Sequence, residues 1–160
     1  MSKPSFVYVI YIASTPEKVW QALTDGKMTE SYWFGNRVES DWKVGSPFAL
    51  KRGDKKVTDT GTVLKCEPRR CLSYSFHPEH EGFENEQPSR VTFELEKQKD
   101  QVKLTMIHDE FEPDSKVFES IGRGWPLILS SLKSMLETGR TLQAHWYQEK
   151  LKREAKQVRQ

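Results

Sequence analysis

The chain passes through three hydrophobic rhythms in turn, and their order predicts most of its elements. From Phe6 to Ala13 nearly every position is apolar, β-branched or aromatic (FVYVIYIA), the pattern of a strand buried or partly buried on both faces. Ser14-Thr15-Pro16-Glu17 then reads as a helix start. Ser14 or Thr15 can cap it, Pro16 suits the first helical position, and Glu17 puts a carboxylate at the positive end of the helix dipole. Val19, Trp20 and Leu23 give this helix an apolar face, and a second short helix is expected in KMTESYWF, after Gly26.

Beyond Phe34-Gly35 the rhythm changes to strand and turn. Strands are expected over Arg37–Trp42, Pro47–Lys51 and Thr58–Cys66, the last carrying Gly61 as a bulge or a point of close backbone approach. In Cys71–His77, Leu72, Tyr74 and Phe76 share one face, opposite Cys71, Ser73 and Ser75. Pro78–Ser89 holds Pro, Gly and four glutamates without apolar periodicity, the composition of a mobile surface loop. Two strands with clean period-two alternation follow. Val91, Phe93 and Leu95 share a face in the first, and Val102, Leu104, Met106 and His108 in the second. One packed and one wet face imply an antiparallel sheet covered on a single side.

The third rhythm supplies the cover. Ile121, Trp125, Ile128, Leu132 and Met135 recur at steps of four and three, widened by Leu129 and Leu136, and Gly139 suits a C-terminal cap. Asp114 or Ser115 can cap the start, but Gly122, Gly124 and Pro126 weaken the first turns. The regular helix is therefore expected from about Trp125 to Thr138, behind a kinked or loose entry.

Composition narrows the class. At 160 residues one domain is expected, over 1–140, with 141–160 as a helical basic extension that carries six basic and two acidic side chains from Arg140 onward. The whole chain has 25 basic and 23 acidic side chains, a net charge of +2. This balance points away from nucleic acid or an anionic membrane as the main partner. No run approaches the roughly 18 apolar residues of a membrane span, and MSKPSF lacks the apolar core of a signal peptide, so a cytoplasmic protein is expected. Cys66 and Cys71 flank a hairpin loop, so they are expected roughly opposite one another on adjacent strands, and with His77 and His80 they form a C-x4-C-x5-H-x2-H spacing that misses the zinc patterns. No metal and no cofactor are expected, and a pairing of the two cysteines stays open.

Four segments carry a resemblance to a known family. IYIASTPEKVWQALTDGKMTESYWFG resembles the entry of the SRPBCC superfamily, the START and birch-pollen-allergen-like domains. Within it the chain is similar to the branch of the C-terminal domain of the co-chaperone that activates the ATPase of the ninety-kilodalton heat-shock protein. The strand with Gly61, the pair SRVTFELEKQKDQVKLTMIHDEF and the closing helix GWPLILSSLKSMLETG agree with that branch. The resemblance covers residues 5–140 and implies an α+β helix-grip fold. In such a fold a curved antiparallel sheet of six or seven strands wraps a long C-terminal helix, with two short helices after the first strand and an apolar pocket between sheet and helix.

The first functional expectation is binding of a hydrophobic small molecule in that pocket. Residues pointing toward it from sheet and helix are Trp33, Phe48, Tyr74, Phe93, Met106, His108, Trp125 and Leu129, each of which would serve equally well as plain core. His108 is the one titratable group on its apolar face. It reads either as a polar contact in the pocket or as a strand-end histidine bonded to a backbone carbonyl or a neighbouring carboxylate. The alternatives are a co-chaperone-like interaction module with a chaperone partner, and a cyclase or hydrolase using the same pocket. Against an enzyme, the sequence has no Gly-x-Ser-x-Gly elbow, phosphate loop or metal-ligand cluster. A homodimer is left open.

Overall fold

The computed structural model describes residues 3–53 and 56–145, with 149, 152, 153 and 156. Most of the expected helical extension over 141–160 lies outside the described residues. The elements run β1 (Phe6–Ile12), α1 (Pro16–Thr24), α2 (Gly26–Tyr32), β2 (Asn36–Ser40), β3 (Pro47–Arg52), β4 (Lys56–Glu67), β5 (Cys71–Pro78), β6 (Ser89–Gln98), β7 (Gln101–Asp109) and α3 (Lys116–Thr138). The seven strands form one sheet in the order β1-β7-β6-β5-β4-β3-β2, antiparallel at every pairing. This is the helix-grip architecture, with α3 on the concave face and α1 and α2 closing one end.

Each face follows its period. Leu72, Tyr74 and Phe76 of β5, Val91, Phe93 and Leu95 of β6, and Val102, Leu104 and Met106 of β7 are buried against Trp125, Leu129 and Leu132 of α3. Thr15 caps α1 by accepting from the Lys18 N–H, and Asp25 closes α1 while its carboxylate caps α2. The Tyr32 hydroxyl donates to the Ala22 carbonyl at 2.9 Å, tying the two short helices together. Beyond Gly139, Ala144 is buried and the Leu142 N–H donates to the buried Ser131 hydroxyl, so the chain turns back onto α3.

Four local features differ from the sequence expectation. First, β1 is an edge strand, and Val7, Val9 and Tyr11 on its outer face are 56, 45 and 44 % exposed. Only its inner face is covered, because no layer packs on the outside of the sheet among the described residues. Second, α3 is helical from Lys116 onward. Ser115 caps it, and Glu86 reaches across from the loop to accept from the Ser115 hydroxyl and from the Lys116 and Val117 N–H groups. That external cap, with Val117 buried and Phe118 packed on Phe111, holds the turns that Gly122, Gly124 and Pro126 weaken. Third, the loop expected to be mobile is thereby fastened to α3. Fourth, Cys66 lies opposite Leu72 while Cys71 lies opposite Glu67, so the two free thiols point to opposite faces of the sheet.

Candidate functional site

A cavity of about 640 Å³ opens between the first half of α3, the β5–β6 loop and the inner face of β2–β5. Its walls are set by what the helix lacks. Ser120 and Gly124 of α3 face it, and their small side chains leave open the volume that larger residues would occupy. The apolar wall is made by Trp33, Leu50, Phe76, Trp125 and Ile128, and Phe83 from the loop closes one side. Trp33 and Trp125 pack against each other with ring centroids 5.3 Å apart.

Of the eight expected lining residues, Trp33 and Trp125 face this cavity. The structure sets Phe48, Tyr74, Phe93, Met106, His108 and Leu129 in the packed interior beside it, each 2 % exposed or less. The physical reason is the aromatic content of the sheet floor. Phe48 stacks on Tyr74 at 4.0 Å, Tyr74 meets Phe93 at 6.3 Å, and Phe93 meets Trp125 edge-on at 5.9 Å. These rings fill the space under the middle of α3, and the opening is displaced toward the glycine-bearing first turns.

His108 stands behind the cavity wall and positions it. The Trp125 indole N–H donates to His108 Nδ1 at 3.0 Å. Indole nitrogen is a donor only, so Nδ1 carries no proton and the proton resides on Nε2. Nε2–H then donates to the Ser89 hydroxyl at 2.7 Å, and that hydroxyl donates to the Phe76 carbonyl at 3.2 Å. The chain of bonds satisfies every polar atom of the ring in its neutral form. Enclosure by Phe76, Phe111 and Trp125 excludes water, and burial pushes the His108 pKa down to about 3, against a weaker opposing pull from Asp109.

The polar floor of the cavity consists of residues the sequence reading did not single out: buried Asn36, Thr58 and Asp59. Asp59 faces inward because it lies directly opposite Leu50 on β3, a core residue. Its carboxylate accepts from the Thr58 hydroxyl at 2.8 Å. Burial raises its pKa to about 6, helped by Glu79 and opposed by the Thr58 bond, Arg52 and His77. The sequence signal for Asp59 is its position two residues before Gly61, which puts a carboxylate on that residue's face of a strand otherwise rich in Thr and Val. The inward direction of that face appears only once the register with β3 is known.

Comparison with known proteins fits this architecture. Residues 13–137 match the family described as Activator of Hsp90 ATPase homolog 1-like protein. The chain belongs to this family. No curated protein matches it. Among solved structures, a Mesorhizobium loti protein is 28% identical with a TM-score of 0.73, covering 84% of this chain and 97% of its own. The Aha1 dimer of Colwellia psychrerythraea is 23% identical with a TM-score of 0.69, covering 85% of this chain and 98% of its own. An HSP90 activator from Plasmodium falciparum is 22% identical with a TM-score of 0.69, covering 82% and 95%. At these last two identities the likeness is one of fold.

Proposed function

We propose that the protein binds a largely apolar small molecule in the cavity between α3 and the sheet. The observation that carries this reading is the 640 Å³ space itself, walled by Trp33 and Trp125 over a small polar floor. Concave, mainly apolar sites with a few convergent polar groups are the usual form of a ligand pocket. Gly124 provides the test. A Cβ built there meets nothing closer than the Ile128 side chain at 3.8 Å, so a larger side chain enters the cavity without a clash at its root. Gly124→Leu should keep or raise stability, since Gly in a helix interior costs about 1 kcal/mol. The wild type should bind the uncharged dye phenylnaphthylamine with an increase in fluorescence, and the variant should not. A wild type that binds no apolar probe, or a variant that binds it equally well, would remove the cavity from consideration.

A second reading, association with another copy of this chain, draws on β1. Val7, Val9 and Tyr11 form an exposed apolar stripe on an edge strand, while its far end is already covered. There the Lys133 ammonium donates to the Tyr11 carbonyl and the Ala13 N–H donates to Glu137. The uncovered part, residues 6–9, offers both unpaired backbone and apolar side chains. The described relative from Colwellia psychrerythraea is a dimer. Light scattering across a concentration series should show a dimer that Val9→Lys converts to monomer. A wild type that is monomeric throughout rejects this second reading.

A further inference from the structure

We propose that the cavity selects apolar molecules that carry a hydroxyl, the hydroxyl donating a hydrogen bond to Asp59 on the cavity floor. The inference rests on the reading of the cavity as a ligand site and adds the polar contact that orients its occupant. The backbone of β4 is irregular at the residues that make this contact available. Leu50 of β3 pairs with Asp59 and Lys51 pairs with Val57, so Thr58 is the extra residue of a β-bulge. In a regular strand successive side chains point to opposite faces. At the bulge Thr58 and Asp59 are instead both buried, 3 and 8 % exposed, and both border the cavity. The Glu79 N–H donates to the Thr58 carbonyl at 2.8 Å and holds the bulge from the end of β5.

The bulge presents acceptors to the space. The Thr58 hydroxyl lies 2.8 Å from Asp59 Oδ2 and 3.2 Å from the Leu50 carbonyl oxygen, and its single proton serves one of them at a time. Among the described residues, this is the one hydrogen bond that the Asp59 carboxylate accepts, which leaves Oδ1 to the space the residue borders. Burial raises the Asp59 pKa to about 6, with Glu79 acting in the same sense and the Thr58 bond, Arg52 and His77 against it. At about pH 7.5 the group is therefore mostly ionised and only accepts. Ser120 on the facing helix adds lone pairs, because its proton goes to the Val117 carbonyl at 2.9 Å. Charges at the mouth are mixed and exposed. Lys116 acts on Glu84 and Glu86, and Arg123 and Arg153 share the rim with Glu119, so the mouth sets no sign of its own. A molecule that fills the space strips water from Asp59. A hydroxyl replaces the lost bond, whereas an ether or a hydrocarbon leaves a buried acceptor without one.

Decanol and methyl nonyl ether are isomers that differ in having or lacking the donor, so they separate this contact from simple apolar binding. Each is titrated against phenylnaphthylamine bound to the full chain at about pH 7.5. Decanol should displace the dye at a concentration about tenfold lower than the ether, the scale of one hydrogen bond to a charged group. Asp59→Leu should bring the two isomers to equal affinity, chiefly by weakening decanol. In that variant the Thr58 hydroxyl keeps the Leu50 carbonyl as its acceptor, so no donor is orphaned, and circular dichroism checks the fold. Asp59→Ala removes the acceptor without added bulk and makes the same comparison if Asp59→Leu does not fold. If the isomers bind the wild type equally and Gly124→Leu blocks both, the cavity is a ligand site without donor selection and this inference is overturned. The same holds if a folded Asp59 variant retains the full preference for decanol. If neither the isomers nor phenylnaphthylamine binds, the ligand-site reading fails and this inference falls with it.

Discussion

Gly61 occupies a point where β4 and β5 approach so closely that a Cβ would stand 1.8 Å from the Ser75 carbonyl oxygen. The neighbouring backbone cannot swing aside as a flexible side chain would. Gly61→Ala should therefore destabilise at or beyond the upper end of the roughly 1–3 kcal/mol that overpacking costs, measured by urea unfolding. Gly124→Ala, in open space, should be stabilising. His108 and Asp59 make a second pair of opposites. The folded protein holds His108 neutral down to about pH 3, whereas the unfolded chain takes up a proton near 6.5, so this residue costs stability as pH falls below 6.5. Asp59 holds its proton up to about pH 6 in the folded state against 3.8 unfolded, so its contribution is full at low pH and is lost as pH rises through 6. The two slopes oppose each other between about pH 4 and 6. In Asp59→Asn, stability should fall on acidification more steeply than in the wild type, by up to about 1.4 kcal/mol per pH unit. His108→Gln should tilt the profile the other way. Parallel profiles for wild type and Asp59→Asn would show that the floor carboxylate titrates normally.

At the scale of elements, α3 shows how a weak local signal is overridden. Pro126 removes one N–H from the ladder, and Gly122 and Gly124 add backbone freedom, yet the helix extends without a break from Lys116. Its first turns depend on Glu86, a residue 29 positions before Ser115. Glu86→Ala should cost about 1 kcal/mol as the loss of a cap. Hydrogen exchange should then accelerate in residues 116–124, with little change in 129–138. Uniform acceleration along the helix would mean that the cap does not act locally. The far end of α3 is tied differently, by Lys133 to the Tyr11 carbonyl and by Glu137 to the Ala13 N–H. Immediately before those ties Leu132 is fully buried, and Leu132→Ala should cost about 2–5 kcal/mol in chemical denaturation.

For the molecule as a whole, the cavity is a consequence of uneven filling. Aromatic rings occupy the space beneath the middle of α3, and small residues leave it open beneath the first turns. The loop that borders the opening also caps the helix that forms its roof, so the mouth and the start of α3 are mechanically joined through Glu86. Weakening this joint should change how fast a ligand enters as well as how stable the helix start is. Stopped-flow mixing of Glu86→Ala with phenylnaphthylamine should show faster association than in the wild type. Unchanged association would mean that the probe enters by another route.

The amino-acid sequence by itself determined the elements, their order and their packed faces. Period-two alternation in β6 and β7, the stripe along α3, and the Thr15-Pro16 helix start are local signals that need no partner to be read. Their order, together with the family resemblance, implies a sheet of six or seven strands gripping one helix, and the structure sets the number at seven. Only tertiary structure decided the exposed face of β1, because an apolar run does not say whether it ends as an edge. It alone decided that Glu86 caps α3, since a helix cap supplied from another segment leaves no mark in the local pattern. It also decided the cavity. Which of many inward-facing side chains line a space depends on where neighbouring volumes fail to fill it. Trp33 and Trp125 border that space while Phe93, Tyr74 and Leu129 do not, although all five carry the same inward signal. Asp59 joins the site because strand register, a long-range property, turns it toward Leu50 and away from water.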